Sequence, residues 1–321
     1  MPAAPDSPAG VGGARPNLFL VGAPKSGTTA LATYLGEHPD VFVAPWELHY
    51  FGSDLDFRSP AGAPRRLRLD HYLSTFAPHR LERHRGDHSV FYLSSTAAAA
   101  EIHDFEPEAR IIVMLRDPVD QMHAQHSEML YQGDEDIADF AVALGAEAER
   151  RAGRRIPPGC RKPFALQYRS LARYHGQVER YLTSFGPHQV CIVLFDELVR
   201  DPAATYRRVL EFLEVDERHQ PEFRLVNPNK DLRSPKLRDV LRETTTDAQP
   251  GFRRLGRLVV RSDRARGQLR RWLHAVNTRH RPRPPLDPAL RTRLQGEMAD
   301  DVRRLEGLVQ RDLGAWLAPP Q

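Results

Sequence analysis

A turn rich in glycine, serine and threonine, with one lysine, lies near the start of the chain in NLFLVGAPKSGTTALATYL, residues 17–35. An apolar run precedes the turn and a helix-like apolar pattern follows it. A loop between a buried strand and a helix presents unpaired backbone N–H groups and the positive end of the helix dipole, which together attract anions. Gly22 and Gly27 allow close approach to the backbone, and Lys25 adds a positive charge. The stretch therefore predicts an anion-binding site.

The position of the lysine separates this turn from the common nucleotide-phosphate loop. A Walker A loop reads G-x-x-x-x-G-K-[ST], with the lysine directly after the second glycine. Gly22 and Gly27 have the right separation, but Thr28 occupies the lysine position and Lys25 lies inside the loop. A P-loop kinase or NTPase would also need an acidic residue for magnesium, a role that Asp117 could imitate. That function is an alternative, and Thr28 argues against it.

Apolar segments that alternate with helix-like segments must position this turn. Four such segments read as buried strands, at residues 17–23, 41–45, 109–118 and 188–198. The alternation predicts an α/β fold in which a parallel, P-loop-type sheet is covered by helices on both faces. Long helices are predicted over residues 136–151 and 164–185. We expect a single domain over residues 17–318, preceded by a disordered leader over residues 1–16.

Bulk properties narrow the class of protein. The 321 residues are 40% hydrophobic, which is enough for a substantial core, and no run approaches the ~20 apolar residues of a membrane span. Cys160 and Cys191 are too few for a disulfide framework or a zinc site. The expectation is a soluble cytoplasmic protein. A net charge of +4 and a sequence pI of about 9.2 allow anionic partners without naming them.

Motifs along the whole chain resemble those of sulfotransferases that use 3′-phosphoadenosine 5′-phosphosulfate (PAPS), in particular the heparan-sulfate type and bacterial members. APKSGTTAL resembles the 5′-phosphosulfate loop, PWELHYF at residues 45–51 resembles K-E-x-H-[FY]-F, and ARIIVMLRDPVD resembles the 3′-phosphate strand and turn. Further family patterns match three later segments in the same order: residues 172–216, NPNKDLRSPKL and the closing RDLGAW. The likeness spans residues 17–316.

The resemblance implies in-line transfer of a sulfuryl group from PAPS to a hydroxyl, or less favourably an amine, with release of adenosine 3′,5′-bisphosphate (PAP). Such a reaction depends on positioning and electrostatics. Lys25 is suited to the bridging oxygen and the departing 5′-phosphate. Glu47 matches the family's general base, and His49 matches a second family position beside it. The resemblance implies no metal. The residues expected to cradle the donor's 5′ group are Ser26, Gly27, Thr28 and Thr29.

Recognition of the donor's 3′-phosphate is assigned by the same resemblance. Arg116 ends its strand, where a guanidinium can bind two phosphate oxygens. The family usually has a serine eight residues later, but this position is Ala124, so Ser127 is predicted to substitute. Arg233 and Ser234 resemble a late loop that closes on the same phosphate. Two lysines could assist them, Lys230 and Lys236.

Two departures from the family pattern concern the acceptor. Trp46 stands where many members have lysine, and GDHSVFYL has Asp87, His88 and Val90 in place of the Glu, Lys and Pro of G-E-K-[ST]-P-x-Y-[FL]. A polyanionic sugar chain needs several cations along its cleft, so these changes favour a smaller or less charged acceptor. The acceptor class is left as a small molecule, a lipid or a glycan.

The segment 252–285 holds eleven arginines and one acid, Asp263. It is interpreted as a basic, helical, lid-like insertion that is either a solvated helix face or a surface for peripheral contact with a membrane or a lipid-linked acceptor. It lacks the interleaved aromatic residues of nucleic-acid-binding proteins, so no nucleic-acid partner is expected. Trp46 and Ala124 also leave open a non-catalytic nucleotide-binding protein. The oligomeric state is not predicted.

Overall fold

Five parallel strands form the central sheet, in the order β2-β3-β1-β4-β5, in the computed structural model of the chain. It describes residues 14–58, 66–224, 230–232, 234, 238, 272–273, 276–280 and 283–318. The strands are β1 (Leu18–Gly22), β2 (Val41–Val43), β3 (His84–Asp87), β4 (Arg110–Leu115), β5 (Val190–Leu194), and an antiparallel pair β6 (Lys230–Leu232) and β7 (Thr278–His280). The helices are α1 (Thr28–Leu35), α2 (Leu69–Ser74), α3 (Ala98–Phe105), α4 (Pro118–Gln132), α5 (Phe140–Gly145), α6 (Glu147–Arg151), α7 (Tyr168–Ala172), α8 (His175–Phe185), α9 (Phe195–Arg200), α10 (Pro202–Leu213) and α11 (Pro288–Val309), with 3-10 turns at Pro163–Leu166 and Gly314–Leu317.

Helices cover both faces of the sheet, because successive side chains of a strand point to opposite faces. Leu18 and Leu20 of β1 belong to the core that contains residues of α1 and α10. Phe19 and Val21 of the same strand belong to the larger core, with residues of α3, α4, α8 and α11. All five residues of β1 are buried. The predicted class, a parallel sheet covered on both faces, is confirmed.

Strand β3 is an element that the apolar pattern did not reveal. Its sequence is HRGD, without one aliphatic residue, yet it pairs with both β1 and β2 and lies inside the sheet. His84 and Asp87 are buried, and the His84 Nε2 atom lies 2.8 Å from the Leu213 carbonyl oxygen. A strand whose buried side chains are polar gives no hydrophobic signal.

The two long helices predicted from the sequence are each divided. Residues 136–139 are not helical, and residues 140–151 form α5 and α6, which are separated at Ala146. Residues 164–185 divide into a 3-10 turn, α7 and α8. The second break is at Arg173, whose φ of −86° and ψ of 88° are not helical. The Gln177 side chain donates to the carbonyl oxygens of Ser170 and Leu171 at 2.8 and 3.4 Å. This side chain therefore replaces helical hydrogen bonds that the break removes.

Packing begins before the predicted end of the leader. Arg15 lies over the Phe105 ring at 4.0 Å and donates to the Phe105 carbonyl oxygen at 2.7 Å. These contacts anchor Arg15 to the end of α3, and the bounds of the leader and the domain stay predictions. Residues 1–13 and most of the segment 252–285, with its predicted lid role, lie outside the described residues. Among the helices that are described, none has the length and apolar character needed to span a bilayer.

Candidate active site

The loops that carry the predicted site residues leave one edge of the sheet. Because β1 to β4 are parallel, the segments after them emerge at their common carboxyl edge, where ligands of open α/β sheets gather. Lys25 follows β1, Glu47 follows β2 and Arg116 follows β4. The segment after β3 begins at His88. The fold therefore brings the predicted donor loop, base and phosphate arginine to the same side of the molecule.

The donor loop requires glycine at both predicted positions. Gly27 has a φ of 86° just before α1, and a Cβ atom there would lie 3.0 Å from the Phe195 ring. Gly22 has a φ of 146°, and its Cβ would lie 2.4 Å from the carbonyl oxygen of Val90. An L side chain at either position would meet both steric crowding and a disfavoured backbone conformation. The sequence pattern thus reflects a backbone geometry that presents the start of α1.

Two buried hydroxyl groups beside this loop, Ser26 Oγ and Tyr174 OH, interact with each other, and neither has a further hydrogen-bond partner within the described residues. Both residues are fully buried, and burial raises the pKa of the Tyr174 hydroxyl. Thr28 at the start of α1 is also buried, and no side chain caps this helix. A buried polar atom without a partner is costly, so this arrangement fits a loop that an anionic ligand completes.

Lys25 has an unusual backbone conformation, and its ammonium group forms an ion pair. Its φ of 63° is in the left-handed region, where few residues other than glycine lie. Its Nζ atom donates to Glu128 Oε2 of α4 at 2.7 Å, and both side chains are 20% exposed. Residues in strained backbone regions cluster at functional sites, and His49 has the same property with a φ of 49°.

Glu47 and His49 form a pair, with 2.9 Å between Glu47 Oε2 and His49 Nε2. The imidazole stacks on Phe57, with 4.4 Å between ring centroids. Burial acts to raise the pKa of the Glu47 carboxyl, but the hydrogen bond and charge of His49, with the charges of Lys162 and His88, outweigh it and hold that pKa below its ordinary value. Glu47 is therefore a carboxylate at neutral pH, the form a general base needs.

A buried network centred on Asp87 fixes the loop that carries this pair. Ser89 Oγ accepts from the backbone N–H groups of Leu48 and His49 at 3.1 and 3.0 Å. The Tyr92 hydroxyl accepts from the N–H groups of residues 50 and 51 at 2.8 and 3.2 Å. Both hydroxyls donate to the fully buried Asp87 carboxylate, at 2.6 and 2.9 Å. The residue that departs from the family's glutamate is thus a structural anchor of the predicted base.

Arg116 lies across the donor loop. Its guanidinium donates to the Lys25 carbonyl oxygen at 3.3 Å and stacks on Phe195 at 4.6 Å, and a 3.5 Å contact joins it to Asp120. Ser127 lies on α4, where its hydroxyl donates to the His123 carbonyl oxygen at 3.0 Å. Ala124 is fully buried in the same helix.

Arg283, which the sequence reasoning missed, lies beside two residues predicted for the 3′-phosphate. Its Nε atom donates to Ser127 Oγ at 2.9 Å. Burial and the positive charge of Arg116 lower the pKa of Arg283 to about 10, so two guanidinium groups that are charged at neutral pH lie close together. Asp120 and Glu128 offset part of this positive charge, and two neighbouring guanidinium groups favour binding of an anion beside them. In the sequence Arg283 is one of eleven arginines in 252–285, and no pattern distinguishes it from the others.

The late loop is described only in part. Ser234 is fixed by Asn277, whose amide exchanges hydrogen bonds with the Ser234 backbone at 2.8 and 2.9 Å. This segment adjoins α4, since Tyr131 OH lies 2.9 Å from Thr278 Oγ1 of β7. Arg233 and Lys236 lie outside the described residues, and only the backbone of Lys230 is described. Their predicted roles at the 3′-phosphate stay predictions.

The side of the site near Glu47 is lined by aromatic residues. Phe57 and Phe91 each contact Phe164 edge-on, with ring centroids 5.0 and 5.1 Å apart. Trp46, which replaces the family's lysine, is 61% exposed. The predicted acceptor region therefore combines ring surfaces with the Glu47–His49 pair.

Comparisons with known proteins agree with this architecture. The profile of the sulfotransferase family matches residues 16–219. The chain belongs to the sulfotransferase family. It is 28% identical over 221 residues to mouse heparan sulfate glucosamine 3-O-sulfotransferase 3B1, covering 66% of this chain and 51% of that protein. It is 29% identical over 204 residues to human bifunctional heparan sulfate N-deacetylase/N-sulfotransferase 3, covering 62% of this chain and 22% of that protein.

A solved sulfotransferase shares nearly the whole fold. The structure of the sulfotransferase from Alicyclobacillus acidocaldarius superposes with a TM-score of 0.69 and 29% identity, over 95% of this chain and 100% of that one. The likeness to the two curated relatives is narrower, because the chain spans about half of one and a fifth of the other. The fold class and the predicted family are both confirmed.

Asp117 does not resemble a magnesium ligand of an NTPase. Its carboxylate accepts from the N–H groups of Val119 and Asp120 at 2.8 and 2.9 Å and so caps α4. Arg291 of α11 lies 3.8 Å from it, and burial raises the pKa of Asp117 to about 6. Within the described residues there is no group of three His, Cys, Asp or Glu side chains placed to hold a metal ion.

Proposed function

We propose that the protein transfers a sulfuryl group from PAPS to a hydroxyl group, or less readily an amine, and releases PAP. The single observation that carries this proposal is the placement of the Lys25 loop and the Glu47–His49 pair at one carboxyl edge of the parallel sheet. Family membership and the agreement with a bacterial sulfotransferase structure support the reaction class. Fold alone would not choose it, because one fold hosts many reactions.

The residues present fit the two ends of this donor. The buried hydroxyl of Ser26 and the uncapped start of α1 suit the 5′ phosphosulfate, and Lys25 would neutralise the charge that develops on the departing phosphate. Glu128 now pairs with Lys25, so donor binding would exchange one anionic partner for another. Arg116 and Arg283 supply two positive charges for the 3′-phosphate, and Ser127 would add a hydroxyl.

Glu47 would take the acceptor proton as the new S–O bond forms and the S–O bond to the 5′-phosphate breaks. Its lowered pKa keeps it ionised at neutral pH, and His49 orients it through the 2.9 Å contact. The Asp87 network holds the backbone on which both residues stand. PAPS supplies the activated sulfuryl group, and the protein supplies position, charge and the base.

The acceptor is proposed to be small or weakly charged. The phenylalanine surfaces and the exposed Trp46 favour an acceptor with an apolar or ring face, such as a small molecule, a lipid or a single sugar ring. A glycan acceptor has its own support, since relatives are named for heparan sulfate. Cytoplasmic location and bacterial origin are predictions from the sequence. Contact of 252–285 with an anionic membrane would be tested by sedimentation with anionic vesicles.

Calorimetric titration with PAP, ADP and AMP, in the absence of magnesium, tests the proposal. We expect binding of PAP that depends on the 3′-phosphate, followed by transfer of labelled sulfate from PAPS to members of a panel of phenols, sterols and sugars. Stronger binding of ADP, or a requirement for magnesium, would point to the kinase or NTPase alternative. PAP binding without transfer to any acceptor would favour a non-catalytic nucleotide-binding protein.

A further inference from the structure

Lys162 lies near the Glu47 side of the site, although it comes from a loop that has no counterpart among the motifs of the sequence. It immediately precedes the 3-10 turn at Pro163–Leu166. Its Nζ atom donates to Gln132 Oε1 of α4 at 2.6 Å and lies 5.6 Å from the centroid of the Phe91 ring. Phe91 is in turn 5.9 Å from the ring of His49. These contacts place the ammonium group against Phe91, whose ring also adjoins His49.

A short bridge on α4 connects this ammonium group to the lysine of the donor loop. Gln132 Nε2 donates to Glu128 Oε1 at 2.7 Å, and Glu128 Oε2 accepts from Lys25 at 2.7 Å. Glu128 and Gln132 are four residues apart and so share one helix face, about 5–6 Å apart between Cβ atoms. Lys25 and Lys162 are therefore anchored one helical turn apart, on the same surface, by a carboxylate and an amide.

We propose that Lys162 is the acceptor-side cation of the transfer site, where it stabilises the charge on the sulfuryl oxygens and favours the carboxylate form of Glu47. This inference rests on the proposed sulfuryl transfer. The positions at which resembling proteins carry lysine near the acceptor hold Trp46 and His88 in this chain. The fold supplies the missing charge from a different segment. Lys25 then stabilises the charge on the departing 5′-phosphate, and Lys162 stabilises the charge on the acceptor side of the sulfuryl group.

The electrostatics of Glu47 agree with this assignment. The positive charge of Lys162 is one of the causes that hold the pKa of Glu47 below its ordinary value. The other charges that act on Glu47 are those of His49 and His88, which are charged only when protonated. Removing the charge of Lys162 would therefore make the carboxylate form of Glu47 less stable and raise the pKa of Glu47.

The test uses Lys162→Met, which keeps the length of the stem, with Lys162→Arg to restore the charge. Arg154→Met is the matched control, because Arg154 is exposed in the same loop and its removal makes the same change in net charge. The titration of Glu47 is followed by NMR of protein labelled with ¹³C at the glutamate carboxyls and assigned with Glu47→Gln. Calorimetry with PAP and release of labelled sulfate from PAPS, with water or a phenol as acceptor, are measured on the same samples.

We expect Lys162→Met to move the titration midpoint of Glu47 upward and to slow sulfate release about tenfold, the scale of a moderate charge-stabilisation effect. PAP affinity should stay within about twofold, and Lys162→Arg should restore both properties. An unchanged Glu47 titration in a folded Lys162→Met protein overturns the inference, as does an equal change in Arg154→Met. Failure of the wild type to bind PAP would instead remove the proposed function itself. Thermal unfolding of each variant separates either result from misfolding.

Discussion

Removal of the Arg283 guanidinium tests whether Arg116, Ser127 and Arg283 form the 3′-phosphate site. In the structure Arg283 donates to Ser127, and its pKa is lowered by burial and by the charge of Arg116. Two cations held near each other are unfavourable in the free protein and become favourable when a phosphate dianion lies beside them. Arg283→Gln keeps a polar side chain that can still contact Ser127, and it removes the charge.

The size of the effect follows from one charge-assisted contact. Hydrogen bonds to charged groups contribute about 1.5–3 kcal/mol, and tenfold in affinity is about 1.4 kcal/mol, so PAP binding should weaken by about 10- to 150-fold. The lower part of that range is expected, because the substitution also relieves the repulsion from Arg116 in the free protein. AMP, which has no 3′-phosphate, should lose less than about twofold, since the change lies outside the 5′ site.

Calorimetry with PAP and AMP on the wild type, Arg283→Gln and Arg293→Gln measures this difference. Arg293 is the control because it lies 58% exposed on α11, where it pairs with Glu297 at 3.7 Å. A double-mutant cycle with Ser127→Ala should show that the two losses are not additive, because the side chains are in contact. Equal losses of PAP and AMP affinity, or no loss of either, would refute the assignment of Arg283 to the 3′-phosphate.

Three further predictions concern the transfer residues and the core. Lys25→Ala should lower turnover by about 100-fold or more through lost charge stabilisation, whereas an unchanged kcat would exclude Lys25 from the reaction. Glu47→Gln should have an effect of about the same size, and activity should persist as pH falls into the ordinary titration range of glutamate because the pKa of Glu47 is lowered; a fully active variant would move the base to His49. Glu135→Gln should destabilise the fold by about 3–5 kcal/mol in urea titrations, since it leaves the fully buried Arg150, 2.6 Å away, without its counter-ion. The hydrogen bonds of this pair hold the pKa of Glu135 below its ordinary value despite burial. The stabilising effect of Glu135 should therefore be complete above the ordinary pKa of glutamate, and it should be lost as pH falls through the lowered pKa of the folded protein.

The fold was predictable because its main signals are local. An apolar run such as β4, IIVML between charged ends, can be buried only in a covered sheet, and Gly22 and Gly27 mark backbone turns that other residues cannot adopt. Local sequence signals did not predict β3, because the side chains that it buries are polar. The strand HRGD has no apolar residue, and its buried Asp87 is satisfied by hydroxyls from residues 89 and 92 and from Tyr72.

Parts of the candidate site were also accessible to sequence reasoning. Lys25, Glu47 and Arg116 each follow a strand, and parallel strands bring such residues to one edge without further information. Ser127 was predicted as a substitute for the missing serine at Ala124, and the structure places it against Arg283. Its role in binding the donor stays a prediction, as do those of the other site residues.

The sequence by itself determined the α/β class, the glycine-dependent donor loop and the order of residues that belong to the sulfotransferase family. It did so because strand burial and special backbone angles depend on neighbouring residues. Only the tertiary structure decided which arginines and lysines come close to the predicted site residues. Arg283 reaches Ser127 across 156 positions, and Lys162 reaches Gln132 across 30. Such contacts arise from the packing of distant segments on α4, and their energy depends on burial and charge that no local pattern records.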